Sequence, residues 1–300
     1  MSLRVWFWLL SLSVLWGGSF FFAKVAVAEL GPLTVAFGRV ALAAIALNVL
    51  LASSPDGLSR QGRPWWSFFV MGFLNNALPF SLIFWAQTHI ASGLASILNA
   101  TTPLCTVVAA HFFTPDEKIT APKITALLAG FMGVVVLIGP AAFQRFDSGL
   151  RGDLACVAAA FSYGLAGVFG RRFKALGIGP MEAAAGQVTA SSLLILPIMA
   201  IVERPWMLAG PPSVAVWLAV AGLALLSTAL AYILYFRILA AAGATNLLLV
   251  TLLIPVTSIL LGAAFLDERL SLRQAAGMAL IGVGLLVIDG RMARLLRPAK

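Results

Sequence analysis

The sequence predicts an all-α polytopic membrane protein of ten transmembrane helices arranged as two inverted five-helix repeats, and three observations predict it. Of 300 residues, 61% are hydrophobic and 10% charged, at a mean hydropathy of +1.00. Water-soluble domains are roughly half apolar and a quarter charged. The apolar residues also gather into runs of the length, about 20 residues, that crosses a hydrocarbon core of about 30 Å. Finally, short segments in the first half recur in the second at a nearly constant offset.

The spans follow in order. Arg4 precedes a first run at about 5–24, which passes through Trp16-Gly17-Gly18-Ser19-Phe20 without an A-x-A-type cleavage site, so it reads as a retained helix and not a signal peptide. Gly31-Pro32 opens a second at 32–52, since proline suits the first turn of a helix. The third, fourth and fifth occupy 65–87, 92–113 and 121–140. The second five fall at 152–171, 179–202 (opened by Gly179-Pro180), 213–237, 245–266 and 271–289. Only Ser53–Pro64 and Glu203–Pro212 have any length as connections, so consecutive helices should be antiparallel neighbours.

A net charge of +9 invites a nucleic-acid reading, but the basic residues punctuate apolar runs and form no basic module. Arg4, Arg60, Arg63, Lys118, Lys123, Arg171, Arg172, Lys174, Arg237 and the C-terminal Arg291, Arg294, Arg297 and Lys300 collect on one side. The positive-inside rule therefore puts both termini in the cytoplasm. Cys105 and Cys156 lie inside apolar runs with no metal-ligand spacing and read as small buried hydrophobes.

The recurrence organises everything else. Gly31-Pro32 returns as Gly179-Pro180, Gly38-Arg39 as Gly186-Gln187, Pro103 as Pro255, Asp116-Glu117-Lys118 as Asp267-Glu268-Arg269, and Met132-Gly133 as Val283-Gly284, at offsets of 147 to 152. A duplicated unit with an odd number of spans must enter the bilayer from the opposite face the second time, giving a first repeat over 1–147 and an inverted second over 148–300. Inverted repeats are the architecture of many secondary transporters, with the substrate near the midplane between halves.

Trp16-Gly17-Gly18-Ser19-Phe20 through Lys24, Arg39, Leu98 to Lys118 around Pro103, and Leu249 to Leu270 around Pro255 resemble the drug/metabolite transporter superfamily, EamA-type branch. Within it the chain is similar to YddG-like amino-acid exporters of bacterial inner membranes. The resemblance implies ten helices, a cavity lined by spans 1, 3, 4, 6, 8 and 9, and export of amino acids or related metabolites. Thr114-Pro115 before Asp116 departs from the family's more usual Gly or Leu.

Polar and aromatic residues at helical spacing within spans are the candidate substrate contacts. Ser96, Asn99, Thr102 and Thr106 form one stripe in span 4, and Thr251 and Ser258 repeat Asn99 and Thr106 in span 9. Asn76, Phe80 and Phe84 in span 3 match the rhythm of Thr228 and Tyr232 in span 8, and Trp16 in span 1 is matched by Tyr163 in span 6. Each has a structural reading too: helix-to-helix hydrogen bonds for the polar groups, packing for the rings. Pro103 and Pro255 should kink or loosen their helices as gating elements, freeing the carbonyls of Asn99 and Thr251 for a substrate ammonium. Gly17, Gly18, Gly164 and Gly167 permit close helix approach. Arg39, about 10 Å into span 2, must be satisfied by carbonyls or by snorkelling. Glu182 lies too far in depth to pair with it, and His89 and His111 mark span ends.

The predicted activity is export of neutral or zwitterionic amino acids, aromatic ones included, by alternating access. The alternative is a carrier of phosphorylated or nucleotide-linked metabolites, for which spans 3, 4, 8 and 9 hold no interior Lys or Arg. A membrane enzyme is a weaker rival, because H-E-x-x-H, G-x-S-x-G and phosphate-loop signatures are absent. The expected partners are a small-molecule substrate and the bilayer, with no nucleic acid, metal or other cofactor, and a monomer as the working unit.

Overall fold

The computed structural model describes residues 2–53, 64–115, 118–138, 148–208, 210–247 and 249–288. The expected loop at 54–63, Asp116-Glu117 of the acidic repeat and the basic C-terminal run lie outside the described residues. Among those described, ten helical spans follow in order. They are α1 Leu3–Ala26, α2 Pro32–Ala52, α3 Trp65–Gln87, α4 Ser92–Phe113, α5 Ala121–Ile138, α6 Ser148–Ala175 and α7 Pro180–Val202. After them come α8 (Val214–Ala221, Gly222–Leu230 and Ala231–Leu247 in succession), α9 Leu249–Phe265 and α10 Leu272–Ile288. Helices satisfy their own backbone groups, which a hydrocarbon solvent demands. Seven are long and apolar enough to cross a bilayer, and large side chains such as Phe7, Ile45, Leu193 and Leu218 stand exposed on them. In water such a surface would drive aggregation; against lipid it costs nothing.

Two features depart from the sequence reading, and a third, a break in α4, falls beside Pro103, where loosening was expected. α8 stays helical to Leu247, ten residues past the expected end at 237, because the alanine-rich stretch Ala240-Ala241-Ala242 favours helix more than Gly243 opposes it. α4 is broken between Ser92–Asn99 and Thr102–Phe113. And α3 and α8 each contain a π-helical stretch, Phe73–Ala77 and Gly222–Leu230, at matching places in the two repeats. In α3 the π-turn precedes Pro79, which lacks the N–H that would have reached Asn75, and Leu78 N–H bonds instead to Phe73 O.

Glycines set the helix contacts, and the contacts are reciprocal. A Cβ on Gly133 of α5 would lie 2.8 Å from Gly277 O and Ile281 N of α10; one on Gly284 of α10 would lie 2.7 Å from Ala126 O and 3.0 Å from Gly130 N of α5. As numbering rises along α5 it falls along α10, so these counterpart helices run antiparallel. α2 and α7 do likewise: Thr34 meets Glu203 near one end, and Asn48 Nδ2 donates to Thr189 Oγ1 at 2.9 Å near the other. Gly17 of α1 abuts Thr257 of α9, as Gly164 of α6 abuts Cys105 and Thr106 of α4. Gly38 abuts Val220, as Gly186 abuts Phe68. Self-complementary contacts of this kind define a two-fold axis. Antiparallel counterparts place it across the helices, in the membrane plane: the repeats are inverted.

Candidate functional site

Each π-turn is gripped by the same position of a helix from the other half. Arg39 of α2 reaches α8: its Nε donates to Thr228 Oγ1 at 2.9 Å and its Nη2, at a long 3.5 Å, to Ser227 O. The Thr228 hydroxyl donates in turn to Leu223 O at 2.8 Å, so a side chain enters the helical ladder where the π-turn forms. At the symmetry-related place, Gln187 of α7 accepts from Asn75 Nδ2 of α3 at 2.9 Å, and Asn76 Nδ2 donates to Ser191 Oγ at 3.1 Å. Both π-turns are also tied to the neighbouring span, Ser227 Oγ donating to Leu15 O of α1 and Ser162 Oγ of α6 to Leu74 O, each at 2.7 Å.

Arg39 is buried. Its Nη1 donates to Ser19 Oγ at 2.9 Å, and its guanidinium lies 3.9 Å from the Phe80 ring centroid and 5.9 Å from that of Phe84. Tyr163 of α6 and Tyr232 of α8 are within its electrostatic reach. Arg at mid-span costs about 2.5–3.5 kcal/mol on insertion scales. Hydrogen bonds to a charged group return about 1.5–3 kcal/mol each, and a ring face about 0.5–2 kcal/mol, so neutral partners suffice to keep it inside. It does not snorkel, and hydroxyls and a ring serve it more than the expected carbonyls.

The other candidates divide into buried and partly exposed groups. Asn76 is fully buried and spent on Ser191 and on Tyr232, whose hydroxyl donates to its Oδ1 at 3.4 Å. Phe80 and Phe84 stack 6.0 Å apart, buried, and Thr228 is spent on Arg39 and Leu223. Trp16, Tyr163, Tyr232, Asn99 and Thr251 are partly exposed; Trp16 lies 5.8 Å from Tyr235, a ring the sequence reading passed over. Asn99 Oδ1 is a buried acceptor with no hydrogen-bond partner among the described residues.

The span 4 hydroxyls take their bland role: Ser96, Thr102 and Thr106 bond Gly93, Asn99 and Thr102 carbonyls of their own helix. The carbonyl of Asn99, expected to face substrate, thus already accepts the Thr102 hydroxyl at 2.7 Å. The loosening expected at both prolines takes the form of a break only near Pro103, where Thr101 and Thr102 hydroxyls satisfy the carbonyls left by the missing turn; Pro255 sits within an uninterrupted α9.

One face carries a second, unanticipated set of contacts, where α2, α4 and α8 begin. Glu203 accepts from Leu33 N, Thr34 N and Thr34 Oγ1 at 2.7–2.8 Å. Glu268 accepts from Ser92 N, Ser92 Oγ and Gly93 N at 2.6–3.0 Å. Glu29 accepts from Ser213 N and Oγ at 2.7 Å. Each carboxylate meets the positive end of a helix in the opposite half. Lys24 Nζ donates to Gln87 O and Ile90 O at 2.6 and 2.9 Å, and a cavity of about 600 Å³ opens beside Lys24, Glu29, Ser213 and Glu268. Each helix start takes its acid from the other half of the chain, 169 to 184 positions away, so local sequence spacing held no signal for these contacts.

Ten apolar helices, paired about a two-fold lying in the membrane and closing over a polar, aromatic centre, define a multi-pass membrane transporter of the inverted-repeat class. The EamA-like transporter family matches residues 3–139 and 150–289, and the chain belongs to that family. It is similar to the uncharacterized transporter YoaV of Bacillus subtilis, 26% identical over 94% of this chain and 95% of that one. It is also similar to PecM of Dickeya dadantii, 27% identical over 91% and 88%. The uncharacterized inner membrane transporter YedA of Escherichia coli is 26% identical over 97% and 92%. A solved crystal structure covers 98% of the chain, and is itself covered to 99%, at a TM-score of 0.67 and 23% identity, which speaks to fold.

Proposed function

We propose that this transporter exports neutral amino acids, aromatic ones among them, from the cytoplasm across a bacterial inner membrane by alternating access. The observation that carries the reading is the centre itself: Trp16, Phe80, Phe84, Tyr163, Tyr232 and Tyr235 surround amide and hydroxyl groups and a single cation. Rings offer flat contact to an apolar or aromatic side chain, and the polar groups serve the backbone end of an amino acid. Repeats 1–147 and 148–300 are the moving bodies, with both termini cytoplasmic and a monomer as the unit. Trp16, Tyr163, Tyr232, Asn99 and Thr251 are the partly exposed contacts in this conformation; Asn76, Phe80, Phe84 and Thr228 shape the wall behind them, and Pro103 and Pro255 are the gating positions. The relative YedA, an inner membrane transporter, supports the location.

Purified protein in liposomes, tested by counterflow with labelled phenylalanine, tryptophan, threonine and serine with and without a pH gradient, decides the matter. Saturable exchange of phenylalanine above empty liposomes is expected. Exchange of a phosphorylated sugar with no exchange of any amino acid would favour the phosphometabolite alternative and sink this reading.

A further inference from the structure

The two halves make the same contact with different chemistry. Gln187 holds the α3 π-turn through a neutral amide, bonding Asn75. Arg39 does the equivalent work on the α8 π-turn. A neutral side chain therefore suffices to fasten a helix to a π-turn in this fold, and the charge on Arg39 exceeds what fastening needs. Inside a membrane an ionised group of this kind is expensive and is retained for a task.

The surroundings of the guanidinium say which task. Its bonds run to Thr228 Oγ1, Ser19 Oγ and Ser227 O, all neutral, and among the described residues no carboxylate contacts it. Three acceptors serve a group with five N–H donors. Phe80 covers one face at 3.9 Å, and Tyr163 and Tyr232, both partly exposed, lie within electrostatic reach. A planar guanidinium fork matches the two oxygens of a carboxylate. One fixed positive charge balances one negative charge, which fits a monocarboxylate better than a doubly charged phosphate.

We propose that Arg39 recognises the carboxylate of the transported molecule, so that the substrate class is a monocarboxylate with an apolar or aromatic body. The proposal rests on the central cluster being the transport site, and it requires that amines and amides lacking the carboxylate be rejected.

The test uses the full chain in liposomes, with labelled phenylalanine in counterflow and three competitors: L-phenylalanine, L-phenylalaninamide and 3-phenylpropionate. In the native protein phenylalanine should compete at least about tenfold better than the amide, the size of effect one lost charge-assisted contact produces. Arg39→Gln, the residue the other half uses, should still fold, yet bind phenylalanine about tenfold more weakly and no longer prefer it to the amide; Arg39→Lys should keep part of the preference. Should Arg39→Gln fail to reach the membrane, ligand-dependent thermal shifts of the native protein and Arg39→Lys with the same three probes decide. Arg39→Gln with an unchanged preference, or a native protein that does not distinguish phenylalanine from its amide, overturns the role of Arg39 while leaving amino-acid export standing. Strong Arg39-dependent binding of 3-phenylpropionate with no transport of phenylalanine upholds Arg39 and overturns the amino-acid reading. Native protein stabilised by neither carboxylate overturns both.

Discussion

Trp16 and Tyr235 approach to 5.8 Å with their rings tilted by 43°, a pairing worth about 0.5–1.5 kcal/mol beyond area burial. A substrate ring stacking beside them draws on the same term, so Trp16→Ala should lower phenylalanine and tryptophan exchange by about two- to tenfold relative to serine. Equal loss for all four amino acids would indicate damaged packing instead. Glu29 offers a test by pH. It lies outside the spans, and the Ser213 amide and hydroxyl hold its carboxyl below the ordinary value of 4.5. A carboxyl depressed on folding adds stability above its unfolded pKa and loses it as pH falls through the folded one. The Glu29–Ser213 contact should therefore persist through neutral pH and weaken below about pH 4.5. Hydrogen exchange at the start of α8 should then accelerate in acid relative to a Glu29→Gln variant measured at each pH; matching profiles would show that Glu29 does not hold the start of α8. The sequence made the aromatic and amide candidates legible because they recur at helical spacing within apolar runs. It did not make Arg39 legible as a central residue, since a lone charge in a span reads equally as snorkelling until its partners on three other helices are known.

At the scale of elements, the spans were legible from run length, and their ends less so wherever alanine outweighed a nearby glycine, as at α8. The π-turns left no sequence mark: Pro79 accounts for one, while the other depends on a hydroxyl at Thr228 held by a distant Arg39. Of the four glycines read as close-approach positions, Gly17 and Gly164 are tight, at 2.6 and 2.8 Å, while Gly18 and Gly167 have ordinary spacing, and the tight Gly133 and Gly284 were marked only by the repeat. A methyl group on Gly133 or Gly284 would press to 2.7–2.8 Å on the partner's backbone, which cannot swing aside as a side chain can. Gly133→Ala and Gly284→Ala should each cost about 1–3 kcal/mol of stability, read as a lowered melting temperature in detergent, and the two losses should be alike because the contacts are symmetry mates. Gly210→Ala, outside the helices and with nothing within 4 Å of a new Cβ, should leave the melting temperature unchanged. A large difference between the paired variants would count against the reciprocal interface.

For the whole molecule, a sequence offset of 147 to 152 residues was enough to announce a two-fold, because five spans per unit leave no way to repeat except by inversion. What the offset could not announce was the closure of one face. Glu29, Glu203 and Glu268 each cross from one half to a helix start in the other, and under the proposed alternating access those three contacts part together when that face opens. The side they occupy follows from the basic residues: the last turns of α6, at the opposite face, carry Arg171, Arg172 and Lys174, so the carboxylate face should be external. Ala28 and Leu176 separate the hypotheses sharply, for they are repeat mates, 148 positions apart in the sequence, and both are exposed. In a background with Cys105 and Cys156 replaced by Ser, Ala28→Cys should react with a membrane-impermeant maleimide in right-side-out vesicles, and Leu176→Cys only in inside-out ones. Labelling of both from the same side would refute inversion. Labelling from opposite sides in the reverse sense would keep the inverted pair and turn the molecule over, placing the three carboxylates, and the cavity beside Lys24, toward the cytoplasm.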